Sequence, residues 1–334
     1  MAGAQGAALA AAVTNAGGLG SLPCALLDLD ALRDELTTLR ALATGPFNVN
    51  FFCHSPPVFD ERRDAAWRAA LAPYYAELGI DPRDITAGPG RRSFDADVAD
   101  VVEPFQPAVM SFHFGLPAPE LLVRVRGWGA KILCSATTVD EARWLEAHGV
   151  DVIVAQGLEA GGHRGMFLTS DLHTQIGTFA LLPQIVRAVR VPVIAAGGIA
   201  DAAGVAAAFA LGASGVQAGT AYLLCPESTT SDLHRRAIER GDRAVTAITN
   251  LLTGRPARGI VNRLMRELGP LSDLAPAFPL ATAAVAPLRS AAEHRGADDF
   301  SPLWAGQNTS GCKAVPAAVV THELARGVPG RASP

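Results

Sequence analysis

The chain of 334 residues is 49% hydrophobic and 18% charged and contains 33 glycines, which describes an apolar-cored globule and excludes a disordered or coiled-coil protein. A formal charge of −4 at pH 7, with no separate cluster of Lys and Arg, leaves no electrostatic footprint for nucleic acid and favours small neutral or anionic ligands. Cys24, Cys53, Cys134, Cys225 and Cys312 are odd in number and widely spread without a C-x-x-C pair, so neither a disulfide framework nor a zinc site is indicated and a reducing cytoplasm is the default location.

Residues 7–16 have helical composition and stop at Gly17-Gly18, after which residues 19–24 are extended. The apolar opening, residues 1–13, lacks a basic n-region and is built on Ala, so it reads as a helix rather than a signal peptide. No run approaches the ~18 apolar residues of a membrane-spanning helix. Leu32, Leu36 and Leu39 fall at helical spacing, and residues 46–52 form a strand whose Asn48 and Asn50 share one face. Residues 60–79 read as a helical insertion and 81–92 as a long loop over one end of the fold.

From there the alternation is regular. Strands at 108–114, 131–135, 151–155, 191–195 and 215–218 alternate with helices at 119–128, 139–148, 179–189 and 201–211. Thr138 with Glu141 three residues on predicts a capping box, Gly149 closes that helix, and Asp201 stands at the N-cap of another. Repeated β-α crossovers predict an α/β fold, a (β/α)8 TIM-type barrel over residues 1–225, for which about 250 residues are typical. Residues 226–334 are expected to form a helical lid or substrate segment packing back on the barrel. Seven strands are countable where closure wants eight, so the first strand is expected to be missing, with Met1 at its end and the natural protein beginning upstream.

The loop Gln156-Gly157-Leu158-Glu159-Ala160-Gly161-Gly162-His163-Arg164-Gly165 leaves a strand at the C-terminal mouth, where barrel enzymes carry their chemistry. An isolated loop histidine is most often merely solvated, but here His163 has a pKa range suited to proton abstraction, and Gly161 and Gly162 let a planar ligand approach. Glu159 and Arg164 are expected to orient the loop rather than react. Gly197-Gly198 and then Gln217-Ala218-Gly219-Thr220 follow the last two strands, the position of a phosphate cradle. Asn50 and Gln156 are neutral amides at strand ends, suited to the N3–H, O2 and O4 edge of a flavin or simply to strand-end capping. His113 shares a face with Ser111 and is either a second pocket histidine or a packed, hydrogen-bonded one. His54 has no third ligand at metal spacing, and no metal site is expected.

Taken together, Phe47 to His54, Ser111 to Gly115, Gln156 to Gly165, Ala195 to Asp201, Val216 to Ala221 and Trp304-Ala305-Gly306-Gln307 resemble the nitronate monooxygenase family, formerly 2-nitropropane dioxygenases, over nearly the whole chain. The resemblance implies an FMN-dependent barrel with a helical extra domain. It also implies oxidation of alkyl nitronates, such as propionate 3-nitronate, by molecular oxygen to carbonyl compounds and nitrite or nitrate. Asn50, Gln156, Gly161, Gly198 and Gln217 through Thr220 would hold FMN, with His163 beside the flavin. The partners implied are a small nitronate or nitroalkane and O2, with neither nucleic acid nor membrane, and a homodimer is one expected assembly. The family usually opens with a strand ending in Pro-Met, which this chain lacks. Where some members carry tyrosines and a lysine in the lid, the register here gives Phe278, Thr282 and Ala286, a more apolar pocket. An FMN-dependent NAD(P)H:quinone or enoyl-thioester reductase is the neighbouring alternative, disfavoured by Arg164 after His163 and by Asn48-Val49-Asn50. A truncated, non-catalytic barrel is the alternative of another class.

Overall fold

Seven parallel strands pair in chain order into one curled sheet: β1 (Gly20–Pro23), β2 (Phe47–Phe52), β3 (Val109–His113), β4 (Lys131–Ala136), β5 (Val152–Gln156), β7 (Val193–Ala196) and β8 (Gly215–Gln217). The computed structural model describes residues 3–85, 90–241 and 244–330, and among these β1 and β8 are the two edges of the sheet. The architecture is the α/β barrel that the alternation predicts. Residues 86–89 of the expected mouth loop, and Met1, lie outside the described residues.

Local chemistry explains each helix. Asp28 accepts from the Ala31 N–H at 2.8 Å and starts the helix Leu29–Leu42, whose Leu32, Leu36 and Leu39 are buried against the sheet. Each such burial contributes roughly 1.5–3 kcal/mol. Asp201 caps Ala202–Ala210 through the Gly204 N–H at 2.8 Å. The capping box at Thr138 forms only in half. Its hydroxyl accepts from the Glu141 N–H, but the fully buried Glu141 carboxylate accepts instead from Thr137 N–H and Oγ at 2.7 Å and from the Phe167 N–H at 2.6 Å. A buried carboxylate takes the donors that leave fewest of its lone pairs unmet, and these include a loop amide 26 residues away.

The helix Glu61–Leu78, capped by Asp60 and ended by Gly79 at φ 72°, turns Trp67, Leu71, Tyr74 and Tyr75 away from the sheet. They share a core with Leu251, Leu264, Met265, Leu288 and Phe300, and the Tyr75 hydroxyl donates to the Ala284 carbonyl at 2.6 Å. The last helix, Ala317–Ala325, lies against Ala7–Asn15 and Ala202–Ala210, with Leu9, Val205, Val320 and Leu324 buried between them. A second sheet, antiparallel and three-stranded, joins β6 (Gly162–His163) to β10 (Ala257–Ile260) and β9 (Thr246–Thr249). The helix-and-loop reading of the tail misses these strands, which are only four residues long and acquire their pairing from distant partners. No helix among the described residues is long and apolar enough to cross a membrane.

Candidate active site

Parallel strands aim all their C-terminal ends one way, so the loops that follow them converge. Here they enclose a cavity of about 600 Å³, within the usual range for a small-molecule site. Asn50, His113, Gln156, His163 and Thr282 line it, as do Gly161, Gly162, Gly197, Gly198 and the run Gln217, Ala218, Gly219 and Thr220. Phe278 does not reach the cavity wall and packs behind His163.

On β2 the alternation places Asn48 and Asn50 on one face, and both amides donate to Ser111 Oγ at 2.8 Å. The amide oxygen of Asn50 has no protein partner among the described residues. Gln156 is turned onto the loop it precedes. Its Nε2 donates to the His163 carbonyl at 2.9 Å and its Oε1 accepts from the Gly165 N–H at 2.7 Å, leaving one N–H and one lone pair for a ligand. At Gly161 a Cβ would come within 2.5 Å of the Gly306 nitrogen, so only glycine lets the two backbones meet. Gly197, at φ 118°, makes the turn out of β7 in a conformation that side chains avoid.

The His163 ring is walled by Phe52, Phe114, Phe278 and Trp304, with centroids 5.3 to 5.9 Å away. Its Nε2 is 2.9 Å from Thr253 Oγ, while Nδ1 has no protein partner among the described residues. Burial above all, with the nearby His113 and the charges of Arg255 and Arg91 adding to it, holds the imidazole well below its ordinary pKa. The ring is therefore neutral at pH 7, and its unpaired Nδ1 is an acceptor or a donor according to the tautomer.

His113 lines the cavity and has both nitrogens engaged. A carbonyl only accepts, so the 3.1 Å contact to the His163 carbonyl puts the proton on Nε2 and makes Nδ1 the acceptor of the Ser135 hydroxyl at 3.0 Å. Burial pushes its pKa down to about 3.

Arg164 and Glu159 hold the loop. Fully buried, Arg164 donates to the Gln156 and Gly157 carbonyls at 2.8 and 2.7 Å and to Gln175 Oε1 at 3.0 Å. Burial lowers its pKa to about 10, which leaves it charged at neutral pH. Glu159 accepts from the Thr178 N–H and hydroxyl, both at 2.8 Å.

Five residues at the site were not legible as site residues in the sequence. Thr253 meets His163 across 90 positions, and Arg255 stacks its guanidinium 3.8 Å above the Phe114 ring while donating to the Met166 carbonyl. Phe114 is held at φ 73°, a conformation that costs a non-glycine residue about 1–3 kcal/mol. Arg91 and Arg289 line the cavity itself. The run Thr253-Gly254-Arg255-Pro256 announces a turn, but nothing local says that it faces His163.

A model of the nitronate monooxygenase family matches residues 1–326. The nitronate monooxygenases of Paraburkholderia phytofirmans and Pseudomonas aeruginosa are 42% and 40% identical, over 98% and 99% of this chain and 90% and 95% of their own. Among solved structures, the nitroalkane oxidase from Streptomyces ansochromogenes is similar with a TM-score of 0.89 at 38% identity, covering 97% of this chain and 92% of that one. FabK from Thermotoga maritima is similar with a TM-score of 0.71 at 27% identity, over 97% and 89% of the two chains.

Proposed function

The chain belongs to the nitronate monooxygenase family of flavin-dependent oxidoreductases, and on that premise we propose that its flavin is FMN and its substrates are alkyl nitronates, propionate 3-nitronate among them. In this reading O2 is the co-substrate, and the products are carbonyl compounds with nitrite or nitrate.

The residues present fit FMN. Gly197 and Gly198, both at positive φ, and Gln217 through Thr220 follow the last two barrel strands, where glycine backbone leaves room for a phosphate. The unpartnered amide oxygen of Asn50 and the spare N–H of Gln156 suit the polar edge of the ring. Bound FMN would supply the electron acceptor for the carbanion-like nitronate.

The observation that carries the reading is the state of His163: a neutral imidazole with Nδ1 unpaired, inside an aromatic enclosure and in the same cavity as the glycine cradle. A nitronate has already lost its α-proton, whereas a neutral nitroalkane must give it up. In this reading His163 takes it. The same burial and cationic surroundings that keep the ring neutral disfavour imidazolium. Phe52, Phe114, Phe278 and Trp304 keep water from competing at the ring.

The FMN-dependent NAD(P)H reductase stays as the second reading. An anaerobic absorbance titration separates the two. Bleaching of the flavin by propionate 3-nitronate but not by NADPH or NADH is the expected result, and bleaching by the nicotinamides alone overturns it.

A further inference from the structure

Moving a guanidinium out of water is costly unless an anion accompanies it. Where no anion does, backbone carbonyls take its place, as for the buried Arg164 and Arg258, whereas Arg92 takes Asp95 at 2.7 Å and Asp97 at 2.5 Å. Its neighbour Arg91 does not. Arg91 is half-buried, lines the cavity that holds His163, and has no ion-pair partner among the described residues. Its one side-chain hydrogen bond among these residues, at 3.1 Å, goes to the carbonyl of adjacent Gly90. Residues 86–89 just before it are Thr, Ala, Gly and Pro, none of which carries a carboxylate.

The other charges of the cavity leave the positive excess at Arg91. Arg289 is matched by Glu293 at 2.7 Å, and the same carboxylate oxygen accepts from Ser301 Oγ at 2.7 Å. Glu159 is taken up by Thr178. Arg91 lines the same cavity as His163, its positive charge disfavours protonation of that ring, and the charge of Arg289 disfavours its own. Arg255 adds a second positive charge beside His163. A simple nitronate brings one negative charge to this environment.

Building on the nitronate reading, we propose that Arg91 is a specificity-determining residue that binds a second anionic group, a carboxylate on the alkyl chain, and so selects doubly charged nitronates over singly charged ones. A charge-assisted hydrogen bond in a partly desolvated site corresponds to about a ten- to hundredfold preference.

The test compares kcat/KM for propionate 3-nitronate and for propyl-1-nitronate in the flavin-loaded enzyme and in Arg91→Met. The ratio of the two values is expected to fall about tenfold or more in the variant, mostly through KM. It should fall less in Arg289→Met, where Glu293 already supplies the counter-charge. An unchanged ratio in Arg91→Met, or a larger fall in Arg289→Met, overturns the assignment while leaving nitronate oxidation intact. Turnover of neither substrate by the wild-type enzyme fails the functional reading, and this inference with it. A second measurement needs no variant. Succinate is expected to compete with propionate 3-nitronate and its neutral diamide is not, and equal behaviour of the two overturns the proposal.

Discussion

On the barrel side of the cavity the strand ends and short turns are neutral, with Asn50, Gln156 and the backbone of Gly197, Gly198 and Gln217 through Thr220, while Glu159 and, from the long β2–β3 connection, Arg91 bring charge. Across from it stand Thr253, Arg255, Arg289 and Trp304, supplied by the tail, three of them against or beside His163 and two of them cationic. The first wall is made by short βα turns, and each group is where it is because of the strand just before it. The second is assembled from segments remote from one another. His163 is gripped by both: Gln156 holds its carbonyl from the barrel, and β10 pairs with its strand from the tail. The contrast teaches that the strand-end turns of a shared α/β frame present a neutral, backbone-rich half of the site, while its long β2–β3 connection and the tail packed on top add the cations and complete the enclosure.

The largest effect expected from disturbing this arrangement is chemical. His163→Asn should lower kcat/KM for a neutral nitroalkane by about 100- to 10,000-fold, the range for losing a general base. The same variant should lower kcat/KM for the matching nitronate by less than about tenfold, as read by oxygen uptake. Equal losses would mean that the ring serves the enclosure rather than the proton.

Next comes the barrel-side grip. Arg164→Met strips the donors from two buried carbonyls and from Gln175, and should cost about 2–4 kcal/mol in urea unfolding. A loss below about 1 kcal/mol would show that the β6–β10 pairing from the tail anchors the loop unaided.

The smallest effect expected is on pH dependence. His113 has a folded pKa of about 3 against an unfolded value near 6.5, so below pH 6.5 the unfolded chain takes up the proton first. Its contribution to stability is complete above that pH and is lost as pH falls toward 3. Melting temperatures should drop between pH 7 and pH 4.5, and His113→Gln should flatten the slope. An unaltered slope would move the titration to another buried group, of which His234, pushed down to about 4, is the first to test.

Much of the frame was legible because its causes are local. Leu32, Leu36 and Leu39 repeat at helical spacing, Thr138 and Asp201 each cap the helix that follows, and the strands alternate with those helices. Pattern and punctuation of this kind act within a few residues, and they carry the position of the strand-end loops with them. What the cavity wall contains beyond those loops is not local. Glu141 gives up its half of the capping box to reach Phe167, Trp67 and Tyr75 bury themselves in the tail rather than on the barrel, and Thr253 meets His163 across 90 positions. Arg91 and Arg92 are adjacent in the chain and alike in composition, yet one is neutralised and the other faces the cavity. Periodicity and capping make each segment a helix, a strand or a turn. Which remote surfaces then meet, and so which buried charge is left for a ligand to answer, is settled by packing between segments whose own patterns hold no trace of one another.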